Sequence, residues 1–236
     1  MPLAARHFDE KCTECSYRTL RLFCNLSDDA LQHLDRIGSR LALPGRAVLF
    51  EESHPANGVF VVCEGQLKLS TTSRDGRVMI LRLAGAGDVL GLSAALNNIP
   101  HEVTAETLEP TVLRNIRRND FMEFLQTHLE VGEKTSQVMA KEYREVFLDA
   151  RRLALSGSAS GRLARLLLDW ANTAACGKPE LRFTMALTHE ELANMAGSSR
   201  ETVTRLLNQF ERDGLIRRRG SSITLLNPAQ MDLLAG

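Results

Sequence analysis

Residues 186–227 read "ALTHEELANMAGSSRETVTRLLNQFERDGLIRRRGSSITLLN", and their spacing decides the fold of the C-terminal part. Thr188 followed by Glu191 fits a capping box, and Leu192, Met195 and Ala196 supply the apolar face of a short helix. Gly197 permits a sharp turn. Ser198 or Ser199 then caps a second helix, on which Val203, Leu206, Leu207 and Phe210 recur at one-face spacing. Arg200, Glu201, Thr204, Arg205 and Asn208 fall on its other face. The pattern predicts a helix-turn-helix whose second helix enters a DNA major groove. Arginine donates two hydrogen bonds to guanine and glutamate accepts from the cytosine amino group, which gives Arg205 and Glu201 the chemistry to read G·C pairs. Arg217, Arg218 and Arg219 lead into a Gly220-Ser221-Ser222 turn, a wing whose charge suits phosphates. The plainer alternative is that Glu201 completes a capping box with Ser198 and the arginines only solvate a helix face.

Upstream, "LALSGSASG" (153–161) reads as a hinge before the amphipathic "RLARLLLDWANTA". Before it runs "DFMEFLQTHLEVGEKTSQVMAKEYREVFLDARRLAL" (120–155), proline-free and read as one long helix. Met139, Tyr143, Val146, Ala150 and Leu153 repeat at alternating steps of four and three, a coiled-coil seam that predicts a parallel homodimer. The alternative is a stripe packed only on its own β domain.

From Leu41 to Ile116, short apolar runs alternate with turn residues, the mark of an antiparallel β domain. Asp75-Gly76 between "QLKLST" and "VMILRL" predicts a hairpin, and Gly85, Gly87 and Gly91 mark corners. Ahead of this stand Cys12, Cys15 and Cys24, three of the five cysteines. No apolar run of signal-peptide or membrane-span length is present, so a cytoplasmic protein without membrane contact is expected. In a reducing compartment, such cysteines point to metal ligation or redox chemistry rather than structural disulfides. The net charge of +0 gives no global sign of nucleic acid, so any basic surface is local.

Together "NGVFVVCEGQLKLST" (57–71), "AGDVLGLSAAL" (86–96), the long helix and "SSRETVTRLLNQFERDGLI" (198–216) resemble the CRP/FNR superfamily of bacterial transcription regulators, over nearly the whole chain. The resemblance implies an α+β fold. It comprises a cysteine-bearing segment (1–24), an antiparallel β-roll like the cyclic-nucleotide-binding jelly roll (25–117), a dimerisation helix (118–155) and a winged helix-turn-helix (156–236). It implies a homodimeric regulator on palindromic promoter DNA, working with RNA polymerase, with Glu201 and Arg205 on a TGA core; activator and repressor both stay open. Ser199, Arg200, Thr204, Arg218 and Arg219 complete the expected DNA contacts. Arg200 resembles the nucleotide-sensing branch and Thr204 stands where the oxygen-sensing branch carries a thymine-reading serine, which leaves TTGA and GTGA half-sites both open.

Members like the cyclic-AMP receptor hold the nucleotide with a glutamate after the corner glycine and an arginine-serine pair. Here Leu92 follows Gly91, and "NIPHEVTAETL" (98–108) places His101 and Glu102 where a cation belongs, so no cyclic nucleotide is expected. The oxygen-sensing branch instead binds a [4Fe–4S] cluster through cysteines ahead of the β-roll. Cys12, Cys15 and Cys24 match three of those ligands, with a longer gap before Cys24. The segment expected to hold the fourth, "PTVLRNI" (110–116), has no cysteine, which leaves Cys63 as the candidate. A thiol–disulfide switch, zinc and an inert arrangement are the other readings, and for Cys63 alone a plain core cysteine. Cys176 is read as structural. An oxidant (oxygen, nitric oxide or peroxide) acting on the cluster is expected to loosen the N-terminal segment and alter the spacing of the recognition helices. Val146, in the place of a seam acid, implies a dimer less dependent on the cofactor. The rivals are a haem or small-ligand sensor using His33, His54 or His101, and a thiol oxidoreductase. The latter needs a βαβ setting that this N-terminus lacks, so no enzyme is expected.

Overall fold

The computed structural model describes residues 11–76, 78–155, 158–175, 181–185 and 187–235, the side chains of 148–155, 172–175 and 184 aside. Two compact units divide between Glu145 and Val146. In the first, helix α1 (Asp28–Ile37) runs into strands β1 (Gly38–Leu43), β2 (Val48–Phe50), β3 (Gly58–Glu64), β4 (Gln66–Thr72), β5 (Val78–Gly85) and β6 (Val89–Leu90). Then follow helix α2 (Leu92–Asn97), strands β7 (Thr104–Thr107) and β8 (Thr111–Arg117), and helices α3 (Arg118–Thr127) and α4 (Leu129–Leu155). The strands form two antiparallel four-stranded sheets, β1-β8-β3-β6 and β2-β7-β4-β5. This is the expected β-roll, and the Asp75-Gly76 hairpin joins β4 to β5.

Successive residues of β3 serve opposite cores. Val62 packs between the sheets with Leu67, Leu90 and Leu113, whereas Val59 and Val61 face α1 and α3 with Leu31, Leu34, Phe121 and Phe124. Gly58 starts β3 so close beneath β8 that a Cβ would run into the Ile116 carbonyl. Gly58→Ala is therefore expected to destabilise this unit by about 2–4 kcal/mol, read as a fall in the urea midpoint at unchanged slope.

The helices of this unit depart from the sequence reading at two places. Helix α1 lies in a stretch assigned no element. Ser27 caps it by accepting from the Ala30 amide, and Asp28 and Asp29 suit its first turn. The predicted single helix from residue 120 is broken at His128, whose backbone is extended at φ −123, ψ 101. No proline causes the break. The break seats the His128 ring against His33 and Phe124, with His33 Nδ1 and His128 Nε2 2.9 Å apart.

Helix α4 then lays Val131, Val138 and Met139 on the β-roll core. Of the predicted seam, Met139 is thus packed within its own unit, whereas Tyr143 and Val146 are 75% and 65% exposed and Phe147 is exposed beside them. The side chains of Ala150 and Leu153 lie outside the described residues.

The second unit contains α5 (Ala159–Ala175), β9 (Arg182–Thr184), α6 (His189–Met195), α7 (Arg200–Arg212), β10 (Ile216–Arg219), β11 (Ser222–Leu225) and α8 (Pro228–Ala235). The wing hairpin β10–β11 gains a third strand, β9, that the sequence reading did not assign. Cys176 lies outside the described residues. Among the described residues no helix is long and apolar enough to cross a membrane.

Candidate functional site

The helix-turn-helix is built from local signals. Thr188 and Glu191 form the reciprocal capping box of α6: the Thr188 amide donates to Glu191 Oε2 at 2.8 Å, and the Glu191 amide donates to Thr188 Oγ1 at 3.2 Å. Ser199, not Ser198, caps α7 by accepting from the Thr202 amide at 3.2 Å. Gly197 makes the turn at φ 57, a left-handed conformation. Arg162 on α5 secures that turn by donating from Nε to the Ala196 carbonyl at 2.7 Å and from Nη2 to the Gly197 carbonyl at 3.1 Å. Val203, Leu206, Leu207 and Phe210 bury one face of α7.

The opposite face presents Arg200, Glu201, Thr204, Arg205 and Asn208 together. Arg200, Glu201 and Arg205 are exposed. Bonds from its own backbone amide and from the Ser199 hydroxyl hold the Glu201 carboxyl below the usual carboxylate range, which keeps it an acceptor. Thr204 donates its hydroxyl proton to the Arg200 carbonyl at 2.8 Å. The 2.9 Å contact with His189 Nδ1 must then be donated by the imidazole. Burial, with Arg218 and Arg200 adding to it, holds His189 below its usual value. His189 and Arg162 were missed by the sequence reading because nothing in the spacing announces a contact between helices.

Arg218 departs from its expected role. Its Nε donates to Glu211 at 3.0 Å and its Nη2 to Glu211 and Asn208 at 2.8 and 2.6 Å, so it braces the wing against α7. Arg217 and Arg219, on alternate positions of β10, are exposed.

In the first unit, Cys12, Cys15, Cys24 and Cys63 all line one cavity of about 260 Å³, together with Arg40, Glu64 and Arg114. All four are free thiols. Cys63 reaches it through a β-bulge: Val62 pairs with Leu113 and Glu64 with Val112, so Cys63 has no partner on β8 and is re-aimed. The Cys12 amide donates to both oxygens of Asp35, at 3.1 and 3.0 Å, which ties the N-terminal segment to α1.

Burial pushes the Cys12 and Cys24 thiols up to about 12, and raises Cys63 as well. Arg114 opposes the rise at Cys12 and Cys63. Such thiols are poor nucleophiles at neutral pH and yield thiolates when a cationic partner displaces their protons. In metal-free protein at pH 8, Cys12 and Cys24 are expected to react with iodoacetamide at least about thirtyfold more slowly than a thiol of pKa 9.0, read by mass spectrometry. The metal-free fold is also expected to lose stability as pH rises from 9.0 toward about 12, because the unfolded chain releases those protons first.

The histidines of the rival reading have partners of their own. His33 pairs with His128. His101 is buried and stacks on Phe50, ring centroids 3.9 Å apart, beside Gly91. His54 is exposed near Glu51. Leu92 is buried in the core. Among the described residues, no three His, Cys, Asp or Glu side chains converge as a site for a single metal ion.

Residues 40–128 match the family described as cyclic nucleotide-binding domain, and residues 161–234 the Crp-like helix-turn-helix domain. A probable transcriptional regulator, flp, of Lacticaseibacillus casei is 30% identical over 213 residues, 89% of this chain and 94% of that protein. The chain belongs to the CRP/FNR family of transcription regulators. A CRP-like cAMP-activated global transcriptional regulator of Mycobacterium tuberculosis is 27% identical over 207 residues, covering 86% of this chain and 91% of that one. FixK2 of Bradyrhizobium japonicum shares the fold, with a TM-score of 0.76 at 23% identity over 85% of this chain and 98% of that chain. As a member of the CRP/FNR family, this chain is a DNA-binding transcription regulator and not an enzyme.

Proposed function

We propose that this regulator senses oxygen, nitric oxide or another oxidant through a [4Fe–4S] cluster held by Cys12, Cys15, Cys24 and Cys63. The observation that carries this reading is the convergence of all four thiols on one cavity, with Cys63 brought there by a bulge. Four thiolates are the ligand set that such a cube takes, one at each iron, so the sulfurs need not meet at a single point. A thiolate-ligated cube is anionic, and Arg40 and Arg114 line the cavity that would hold it. When bound, the cluster would supply oxidant-labile iron–sulfide bonds. The chain's part is to hold the Cys12 segment on Asp35 and to shield the thiols by burial. The thiol–disulfide alternative is weaker, because buried thiols raised this far lack the thiolate that exchange requires.

A cyclic nucleotide is not part of this reading, although one relative is named as cAMP-activated. The buried Leu92 has no polar atom for a ribose hydroxyl, and the stacked ring of His101 takes the place of a phosphate-binding cation. The protein acts as a homodimer in which Tyr143, Val146 and Phe147, exposed in one chain, meet their counterparts. On each half of an inverted repeat, α7 sets Glu201 and Arg205 on TGA, Thr204 against a thymine, and Arg217 and Arg219 toward phosphates. RNA polymerase is the partner at the promoter.

The test is anaerobic purification with iron and acid-labile sulfide analysis, followed by DNA binding before and after exposure to air. Stoichiometric iron and sulfide with air-sensitive binding to an inverted TGA repeat is the expected result. An iron-free protein, or a haem Soret band, overturns the cluster.

A further inference from the structure

One buried cation in the cysteine site has an unusual set of partners. Arg114 on β8 is 3% exposed and lines the cavity. Its Nη2 is paired with Asp35 at 2.7 Å, and its Nη1 donates to the carbonyls of Gly38 and Leu34, at 3.2 and 3.5 Å, where α1 ends. Gly38 makes room for its stem, since a Cβ there would stand 2.7 Å from Arg114 Cγ and Cδ. Among the described residues its Nε–H has no acceptor, though it is out of reach of solvent. Buried guanidinium donors are ordinarily satisfied, so an orphan beside a cavity of four thiols marks the place of an absent acceptor.

We propose that Arg114 is the positioning residue of the cysteine site: its Nε–H is held for a sulfur of the bound anionic group, while its Nη groups hold Asp35 and the end of α1. This rests on the cluster reading above and extends it to how the signal leaves the site. Asp35 also accepts from the Cys12 amide, so one side chain links the bound group, the first cysteine and α1. Removing the group leaves the guanidinium with only its α1 partners and the Cys12 segment without its sulfur anchor. A hydrogen bond from Nε and a nearby positive charge both favour the reduced, more negative form of a cluster. Arg114 therefore sets the potential as well as the placement.

Full-length protein is purified anaerobically as wild type, Arg114→Met, Arg114→Lys and Asp35→Asn. Wild type must first contain iron and sulfide; if it contains neither, the cluster reading and this proposal fall together. In loaded protein, Arg114→Met is expected to move the midpoint potential to more negative values and to raise the rate of cluster loss in air about tenfold or more. Arg114→Lys keeps the charge without Nε, so its loss rate rises while its potential shifts less. Hydrogen exchange over residues 28–38 is expected to differ between loaded and cluster-free wild type, and not between loaded and cluster-free Arg114→Met. If Arg114→Met does not fold, Arg114→Lys and Asp35→Asn carry the test: both are expected to lose the cluster faster, and Asp35→Asn, which removes a negative charge beside the site, to move the potential to more positive values while Arg114→Lys moves it slightly to more negative ones. Loaded variants with wild-type potential, loss rate and exchange difference overturn the role of Arg114 and leave the cluster standing.

Discussion

Arg205→Ala is expected to weaken binding to an inverted TGA repeat by about thirtyfold to twenty-thousandfold at fixed salt. The range follows from a bidentate arginine–guanine contact, worth roughly 1–3 kcal/mol, lost once in each half-site of a dimer. The fold survives the change, because Arg205 is exposed and the buried face of α7 is carried by Val203, Leu206, Leu207 and Phe210. Affinity for random duplex should fall far less, since the side chain's share of phosphate attraction is small beside its base contact. Arg219→Ala gives the contrasting outcome, an evenly weakened affinity for all duplexes with a shallower salt dependence. Fluorescence anisotropy on both duplexes at several salt concentrations separates the two. Equal losses on specific and random DNA for Arg205→Ala would mean that α7 does not read the groove through this residue.

The recognition element was legible because its determinants are close in sequence. A capping box spans four residues, and the apolar face of α7 repeats within eight, so spacing alone placed both helices. The β-roll hairpin was legible for the same reason, through Asp75-Gly76. What escaped notice depends on distant partners. The break at His128 has no local breaker and arises where His33, 95 residues away, meets its ring. The split of the predicted seam between Met139, packed inward, and Tyr143, left outside, follows from which face of α4 meets the β-roll, since Glu142 and Glu145 reach Arg82 of β5 while Tyr143 stays exposed. Arg218 was read as a phosphate ligand from its place in a run of arginines, yet strand alternation turns it inward onto Glu211 while Arg217 and Arg219 face outward. Among the cysteines, type and clustering were visible. The bulge that brings Cys63 to the other three was not, since a register shift belongs to a strand pair and not to a strand.

Because of that bulge, Cys63→Ser is the substitution with the largest expected consequence for the cysteine site. The exchange of sulfur for oxygen barely changes volume and removes a soft ligand in favour of a hard, rarely ionised one. Among the described residues the Cys63 thiol makes a single weak hydrogen bond, 3.8 Å to the Val61 carbonyl, which a serine hydroxyl can also donate. Anaerobically purified Cys63→Ser should unfold at the wild-type denaturant midpoint and contain at least about tenfold less iron and sulfide than wild type. Cys12→Ser, Cys15→Ser and Cys24→Ser should match it, whereas Cys176→Ser should load fully. The comparison discriminates sharply because β8, where a fourth ligand was first sought, carries Arg114 at the cavity instead of a thiol. Strands β3 and β8 are neighbours with Val61 opposite Arg114, so a cysteine on the bulged strand and an arginine on its partner flank the same space. Full iron and sulfide in Cys63→Ser would transfer the fourth position to another donor. A further donor on the same cavity is Glu64, whose Oε2 is buried without a partner among the described residues, and Glu64→Gln would then be the variant that loses iron.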